Sequence, residues 1–289
     1  MALWNSVAQA IAAATGRPYG IAQLSPLMGG RVSNAFLVAD GSTRYFVKTQ
    51  NEARVRGYAW EARSLRSIAA AGVPTPAVIA TGQHGTRSFI VLEYVEPAPP
   101  PSPQAIAEGL IRLHRNTAST FGADGPGWVG LEALDNTPGT SWVDFWCERR
   151  FRHRLSGCGA APGWDAARPR IEALLPVIRD GLAEHRPAPA LLHGDLNNQN
   201  WLARPDGSVL FIDPAIWYGD PDVDLAALGG SSPASREAFA IYVRLSPRPE
   251  GFEWRIAVYR LWYLLVCTPV AAEPILTETL DRIARGPSE

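Results

Sequence analysis

Hydrophobic and polar positions change rhythm part-way along the chain. From Tyr19 to Val95, short apolar runs at Ile21 to Leu27, Asn34 to Ala39, Tyr45 to Thr49, Ala77 to Thr81 and Phe89 to Glu93 are separated by Gly, Pro or Asp turns, and they predict strands. Arg54 to Ala71 breaks that rhythm. It places Ala59, Ala62, Leu65, Ile68 and Ala69 at helical spacing, with Gly72 as a stop. The Pro-rich run from Glu96 to Pro103 predicts a stiff connector. Beyond it, the spacing is helical over Gln104 to Asn116, Ser141 to Leu155, Asp165 to Glu184, Ser235 to Leu245, Phe252 to Cys267 and Glu273 to Ala284. Ala190 to His193, Asn200 to Ala203 and Val209 to Asp213 predict short strands among these helices, the last two joined by the turn Pro205-Asp206-Gly207. The pattern implies an α+β chain: a small strand-rich lobe over residues 1–95, a connector over 96–103 and a larger, mainly helical lobe over 104–289.

Composition narrows the partners. With 46% apolar residues in 289, the chain can fill a sizeable core. A formal net charge of -1 gives no global attraction to nucleic acid or to an anionic membrane, which leaves a small molecule as the expected partner. Leu3 to Ala14 is apolar but lacks a basic flank, and reads as an amphipathic helix rather than a signal peptide. Leu261 to Ala272 is too short to span a bilayer and is broken at Pro269. Cys147, Cys158 and Cys267 form no CxxC pair and leave an odd thiol, which argues against disulfides and zinc and for a reducing cytoplasm.

One lysine stands among 26 arginines. Lys48 ends the apolar run Tyr45-Phe46-Val47, where a compact ammonium suits a phosphate better than a planar guanidinium; the alternative is a surface lysine at a strand end. Glu61, in the helix that follows, is its natural partner, unless it is a solvated glutamate pairing with an arginine. In His193-Gly194-Asp195-Leu196-Asn197-Asn198-Gln199-Asn200, the spacing H-x-D-x-x-x-x-N matches a kinase catalytic loop, in which Asp takes a substrate proton and Asn binds a metal. Asp213 closes the next apolar strand and is placed to be a second metal ligand. The competing account of this stretch is an Asx-rich turn that caps its own backbone. Gly29-Gly30 would let backbone N–H groups approach phosphate, or would simply form a hairpin turn. Glu93, Tyr94 and Val95 offer backbone groups to an adenine edge, as any strand end does. His114 reads as a structural histidine, and Arg149 with Arg150 as a solvated helix face.

These residues resemble the fructosamine (ketosamine) kinase family, within the wider aminoglycoside and choline kinase-like group. The similarity runs roughly from Leu24 to Tyr263. It rests on Gly29-Gly30 with Asn34, Tyr45 to Lys48, Glu61 with Leu65, and Val91 to Tyr94. It continues through Phe121-Gly122 to Val129-Gly130, Trp142 and Phe145 with Arg149, Leu191 to Asp195, Asp213-Pro214-Ala215, Tyr218-Gly219-Asp220 and Asp224-Leu225-Ala226. The resemblance implies a protein kinase-like two-lobed fold, ATP with Mg2+, and transfer of the γ-phosphate to a sugar hydroxyl of a free or protein-linked ketosamine. It makes Asp195 the base, Asn200 and Asp213 the metal ligands, and Lys48 the phosphate contact. Residues 92–95 would meet adenine, and His193 and Asp224 would support the site. Asn197-Asn198-Gln199 departs from the family's Trp-small-Gly. Two alternatives stay open: a related kinase for an aminoglycoside, amino alcohol or sugar, and a non-catalytic nucleotide-binding module.

Overall fold

A computed structural model describes residues 2–27, 34–51, 55–129, 132–157, 164–229, 232–267 and 273–287. The chain divides into two compact units, Met1–Pro101 with Asn200–Pro214, and Ser102–Gln199 with Ala215–Glu289.

The first unit opens with α1 (Ala2–Thr15), the amphipathic N-terminal helix, whose Leu3, Val7 and Ile11 recur every fourth residue and are buried. Strands β1 (Gln23–Leu27), β2 (Asn34–Ala39) and β3 (Arg44–Asn51) follow, then α2 (Val55–Ala70), β4 (Val78–His84) and β5 (Arg87–Glu93). They form an antiparallel sheet in the order β1-β2-β3-β5-β4. Alternation along β5 explains how it is buried on both faces. Phe89 and Val91 pack with Leu3, Val7 and Ile11 of α1, whereas Ile90 and Leu92 pack with Tyr58, Ala62 and Leu65 of α2.

The second unit contains α3 (Pro103–His114), whose N-terminus is capped by Ser102 accepting from the Ala105 N–H at 3.1 Å. Proline at its first position costs no helical hydrogen bond, so the Pro-rich run ends by starting a helix. Next come β6 (Gly127–Val129), β7 (Glu132–Leu134) and α4 (Trp142–Asp144), which continues as π-helical turns over Phe145–Arg152 into α5 (His153–Gly157) and then α6 (Trp164–Gly181). Strand β8 (Ala190–Leu192) leads out of this unit. The hairpin of β9 (Trp201–Ala203) and β10 (Val209–Phe211) belongs to the first unit, its turn held by Asp206 accepting from the Ser208 N–H at 2.9 Å. On return, β11 (Trp217–Gly219) pairs antiparallel with β8, and α7 (Asp222–Leu228), α8 (Pro233–Leu245), α9 (Phe252–Cys267) and α10 (Glu273–Ala284) complete the unit. Among the described residues no helix is long and apolar enough to cross a membrane.

Candidate active site

Strand parity decides where Lys48 points. Phe46 packs with α2 and Val47 with α1, so Lys48, two residues past Phe46, shares the α2 face and lies opposite Ile90 in the register. Glu61 comes three residues after Tyr58 and four before Leu65, both buried in the α2 contact with the sheet, and the helix therefore aims it at the strand. The Lys48 Nζ donates to Glu61 Oε1 at 2.9 Å and to Asp213 Oδ1 at 2.5 Å. Lys48 is only 9% exposed, so it is no surface lysine. Burial works against its charge, but the Glu61 and Asp213 carboxylates outweigh it and hold the ammonium pKa above the ordinary lysine value. Burial, with Asp213 nearby, lifts the Glu61 carboxyl above its ordinary value despite Lys48. Two carboxylates on one ammonium leave surplus negative charge, which suits a divalent cation.

Asp213 is held in an unusual backbone state. Its φ is 54°, in the left-handed region, and proline follows it; strain of this kind costs about 1–3 kcal/mol and collects at functional positions. The β9–β10 hairpin fixes it there. Ile212 N–H donates to the Asn200 carbonyl at 3.1 Å, which ties the base of Asn200 to the residue before Asp213. Asn200 is buried, whereas the Asp213 side chain is 42% exposed and open to a ligand. An amide and a carboxylate oxygen are the hard donors that magnesium prefers. At the end of β5, Glu93 pairs with Arg204 at 3.1 Å and accepts from the Ala77 N–H at 3.0 Å. Tyr94, half-buried, lies under the Arg44 guanidinium, and Val95 is half-buried beside it. Gly29 and Gly30 lie outside the described residues.

In the second unit the His193-Gly194-Asp195 segment leaves β8 and is held by its backbone. Asp224 Oδ2 accepts from the His193 N–H at 2.7 Å, and Oδ1 from the Gly194 N–H at 2.9 Å. His114 Nε2 donates to Asp224 Oδ2 at 3.1 Å, while Nδ1 meets the Tyr242 hydroxyl at 2.8 Å. Burial opposes the Asp224 charge, but His114, through its hydrogen bond and charge, and the Gly194 N–H hold the carboxyl below the ordinary range. Gly194 has φ 79°, and a Cβ there would fall 2.1 Å from the Ala215 carbonyl oxygen; only glycine fits. Asp195 follows, half-buried. Asn197 Oδ1 accepts from the Gln199 N–H at 2.9 Å, so this loop contains an Asx turn as well, and Asn198 and Gln199 are exposed.

A second set of buried acids sits at the start of α7. Asp220 Oδ2 accepts from the Tyr259 hydroxyl at 2.7 Å and lies 2.6 Å from His185 Nε2. Asp222 is clasped by Arg248 at 2.6 Å and Arg255 at 3.0 Å. Burial and the neighbouring Asp220 push the Asp222 carboxyl up to about 6 in spite of both arginines. His185, Asp220 and Asp222 are close enough to share an ion, but their partners already engage them, and the set acts as a structural network.

The chain matches the family model for fructosamine kinase over residues 3–281. It belongs to the fructosamine kinase family. The Probable ketoamine kinase of Synechocystis is 30% identical over 274 residues, which cover 91% of this chain and 89% of that protein. A crystal structure assigned as fructosamine-3-kinase from Haemophilus somnus superposes with a TM-score of 0.85 at 25% identity, covering 98% of this chain and 97% of that one. A thermostable mutant of aminoglycoside phosphotransferase APH(4)-Ia, solved as a ternary complex with ADP and hygromycin B, has a TM-score of 0.64 at 19% identity over 97% of each chain, and shares the fold. The fold is thus protein kinase-like, with an antiparallel-sheet N-terminal region and a helical C-terminal part, and the family member is a kinase.

In this fructosamine kinase family member, one correction concerns the arginine pair. Arg149 is partly exposed and lies 3.3 Å from Asp135, but Arg150 is 1% exposed and does not solvate a helix face. The π-helical turns are the reason. They advance the buried face by a residue, so Arg150 takes the inner position that α spacing from Trp142 and Phe145 gives to Arg149. Tyr242, which meets His114, and His185, Arg248 and Arg255, which engage the buried acids, carry no local signal in the sequence. Only the alternation of acids at Asp220, Asp222 and Asp224 in an apolar stretch hinted that buried partners were required.

Proposed function

We propose that the chain transfers the γ-phosphoryl group of ATP to a sugar hydroxyl of a fructosamine or other ketosamine, free or protein-linked. The observation that carries this reading is the Lys48–Glu61–Asp213 trio, a buried ammonium between two carboxylates, one of them half-open to a ligand. Asp195 accepts the proton of the acceptor hydroxyl as its oxygen attacks the γ-phosphorus. The new O–P bond forms as the bond from phosphorus to the β,γ-bridging oxygen breaks, and ADP leaves with that electron pair. Lys48 contacts the phosphates, with Glu61 holding it in place, and Gly29 and Gly30 are assigned to ATP on the sequence alone. Glu93, Tyr94 and Val95 present backbone to adenine. Asn200 and Asp213 would hold Mg2+, which when bound neutralises phosphate charge. His193 and Asp224 keep the Asp195 loop in shape.

In this reading residues 1–95 bind nucleotide, 96–103 connect, and 104–289 carry the base and the acceptor, in the cytoplasm where ATP is supplied. Family membership supports the ketosamine, and the ADP complex of the aminoglycoside phosphotransferase supports the nucleotide. A panel of fructoselysine, ribuloselysine, hygromycin B and choline, each with MgATP, tests it. ADP release is expected with the two ketosamines; release with hygromycin B or choline alone overturns the acceptor assignment.

A further inference from the structure

Arg150 is a buried cation, and among the described residues no carboxylate lies against it. Its Nη1 donates to the Asp135 carbonyl at 2.6 Å and approaches the Arg149 carbonyl at 3.4 Å, and its Nη2 donates to Asn136 Oδ1 at 2.8 Å. The Asp135 carboxylate is turned instead to Arg149 and to Thr137. The guanidinium carbon lies 4.5 Å from the Phe145 ring centre and 4.1 Å from that of Trp217, and its Nε finds no acceptor among the described residues. Burying a guanidinium without a counter-ion is costly, and two aromatic faces offset only part of that cost. Its planar fork can fix the groups it touches.

What it touches leads to the catalytic loop. Trp217, fully buried, lies opposite Leu192 in the β8–β11 register, one residue before His193. Its Cδ1 lies 3.2 Å from the position a Cβ would take on Gly194, so the Gly194 backbone rests on the indole edge. Tyr263 donates its hydroxyl to the Gly194 carbonyl at 3.2 Å. On the other side, the Asn136 carbonyl accepts from the Ala123 N–H at 2.9 Å, and Gly122 exchanges backbone bonds with Tyr218 at 2.8 and 2.7 Å. Gly122 and Asn136 are therefore joined to the strand pair that carries the loop twice, by the Gly122–Tyr218 backbone bonds and by the guanidinium that touches both Asn136 and Trp217.

We propose that Arg150 is a positioning residue for phosphoryl transfer: seated against both Phe145 and Trp217, whose rings stack on each other at 5.5 Å, its guanidinium holds the indole against Gly194 and so sets the placement of the Asp195 carboxylate. This rests on Asp195 being the base. Lysine cannot substitute, because an ammonium neither stacks as a plane nor spans Asp135 and Asn136 with a rigid fork.

The test compares Arg150→Lys and Trp217→Phe with Arg149→Ala, using MgATP and fructoselysine. Both inner variants lower kcat by roughly 10- to 100-fold, the scale on which misplaced reacting groups act. Their KM for ATP and the kcat of Arg149→Ala stay within about twofold of wild type. Amide hydrogen exchange rises in peptides covering residues 191–199 and not in those covering α9, and millimolar guanidinium restores part of the kcat of Arg150→Ala. Wild-type kcat with unchanged exchange in Arg150→Lys overturns the proposal. So does global loss of structure in all Arg150 variants with Trp217→Phe fully active, which assigns Arg150 to folding alone. If Asp195→Asn proves as active as wild type, the base assignment fails, and the exchange measurement still decides whether Arg150 holds the loop.

Discussion

Around Lys48, charge meets charge; around Asp224, charge meets backbone. The first cluster joins three flexible side chains, Lys48, Glu61 and Asp213, brought together from a strand, a helix and a hairpin. Its Asp213 member is half-open and has room for another partner. The second cluster has no such freedom. Both Asp224 oxygens are taken by the His193 and Gly194 N–H groups and by His114, all buried. An ion pair with one half-open member and a fully buried brace are different devices, and substitution should separate them.

The largest effect is expected at Asp195, which the brace presents. Asp195→Asn lowers kcat by roughly 10³-fold or more with little change in ATP binding, since a base acts only in the transition state. Paired kcat and nucleotide-titration measurements check this, and near-normal kcat removes the base. Asp224→Asn comes next. An amide puts a donor where the loop needs two acceptors, so both kcat and stability fall, the latter by about 3–5 kcal/mol in urea melts, as when one member of a buried charged pair is removed. Lys48→Arg is smaller and different in kind: KM for ATP rises about tenfold while the urea midpoint moves little, because a bulky fork replaces a point charge but keeps the pairing with Glu61. If Lys48→Arg unfolds the protein and Asp224→Asn leaves it intact, the contrast between the two clusters is wrong.

The smallest expected effect is on the pH dependence of stability, and it has opposite signs two residues apart. The Asp222 carboxyl, pushed from 3.8 up to about 6 by burial and Asp220, holds its proton more tightly when folded. Its contribution is full below 3.8 and is lost as pH rises through about 6, so Asp222→Asn removes a downward slope in that window. Asp224 is depressed, and its contribution is present above the ordinary carboxylate range and lost as pH falls through its lowered value; Asp224→Asn flattens the acid limb. Urea melts from pH 3 to pH 7, read against the wild type, distinguish the two slopes at about this resolution.

The sequence carried the first cluster better than the second. A single lysine at the end of an apolar run, and a glutamate amid helical spacing, are local signals, and the structure pairs Lys48 with Glu61. The hairpin into Asp213 was equally readable, because its turn residues and apolar strands are contiguous. His114 and Tyr242 lie 110 and 18 residues from Asp224 along the chain, and no periodicity links them. The strand Trp217–Gly219 and the helix Asp222–Leu228 are too short to set up a period. Arg150 was hidden for a third reason: π-helical turns shift the phase on which helical reading depends.

The central claim, phosphoryl transfer from ATP to a ketosamine, is tested most directly by following both products in one reaction. Incubated with MgATP and fructoselysine, the protein should form ADP and a singly phosphorylated fructoselysine in equal amounts, seen by 31P NMR and mass spectrometry. ADP with no phosphorylated fructoselysine, or no reaction while hygromycin B or choline is phosphorylated, would contradict it.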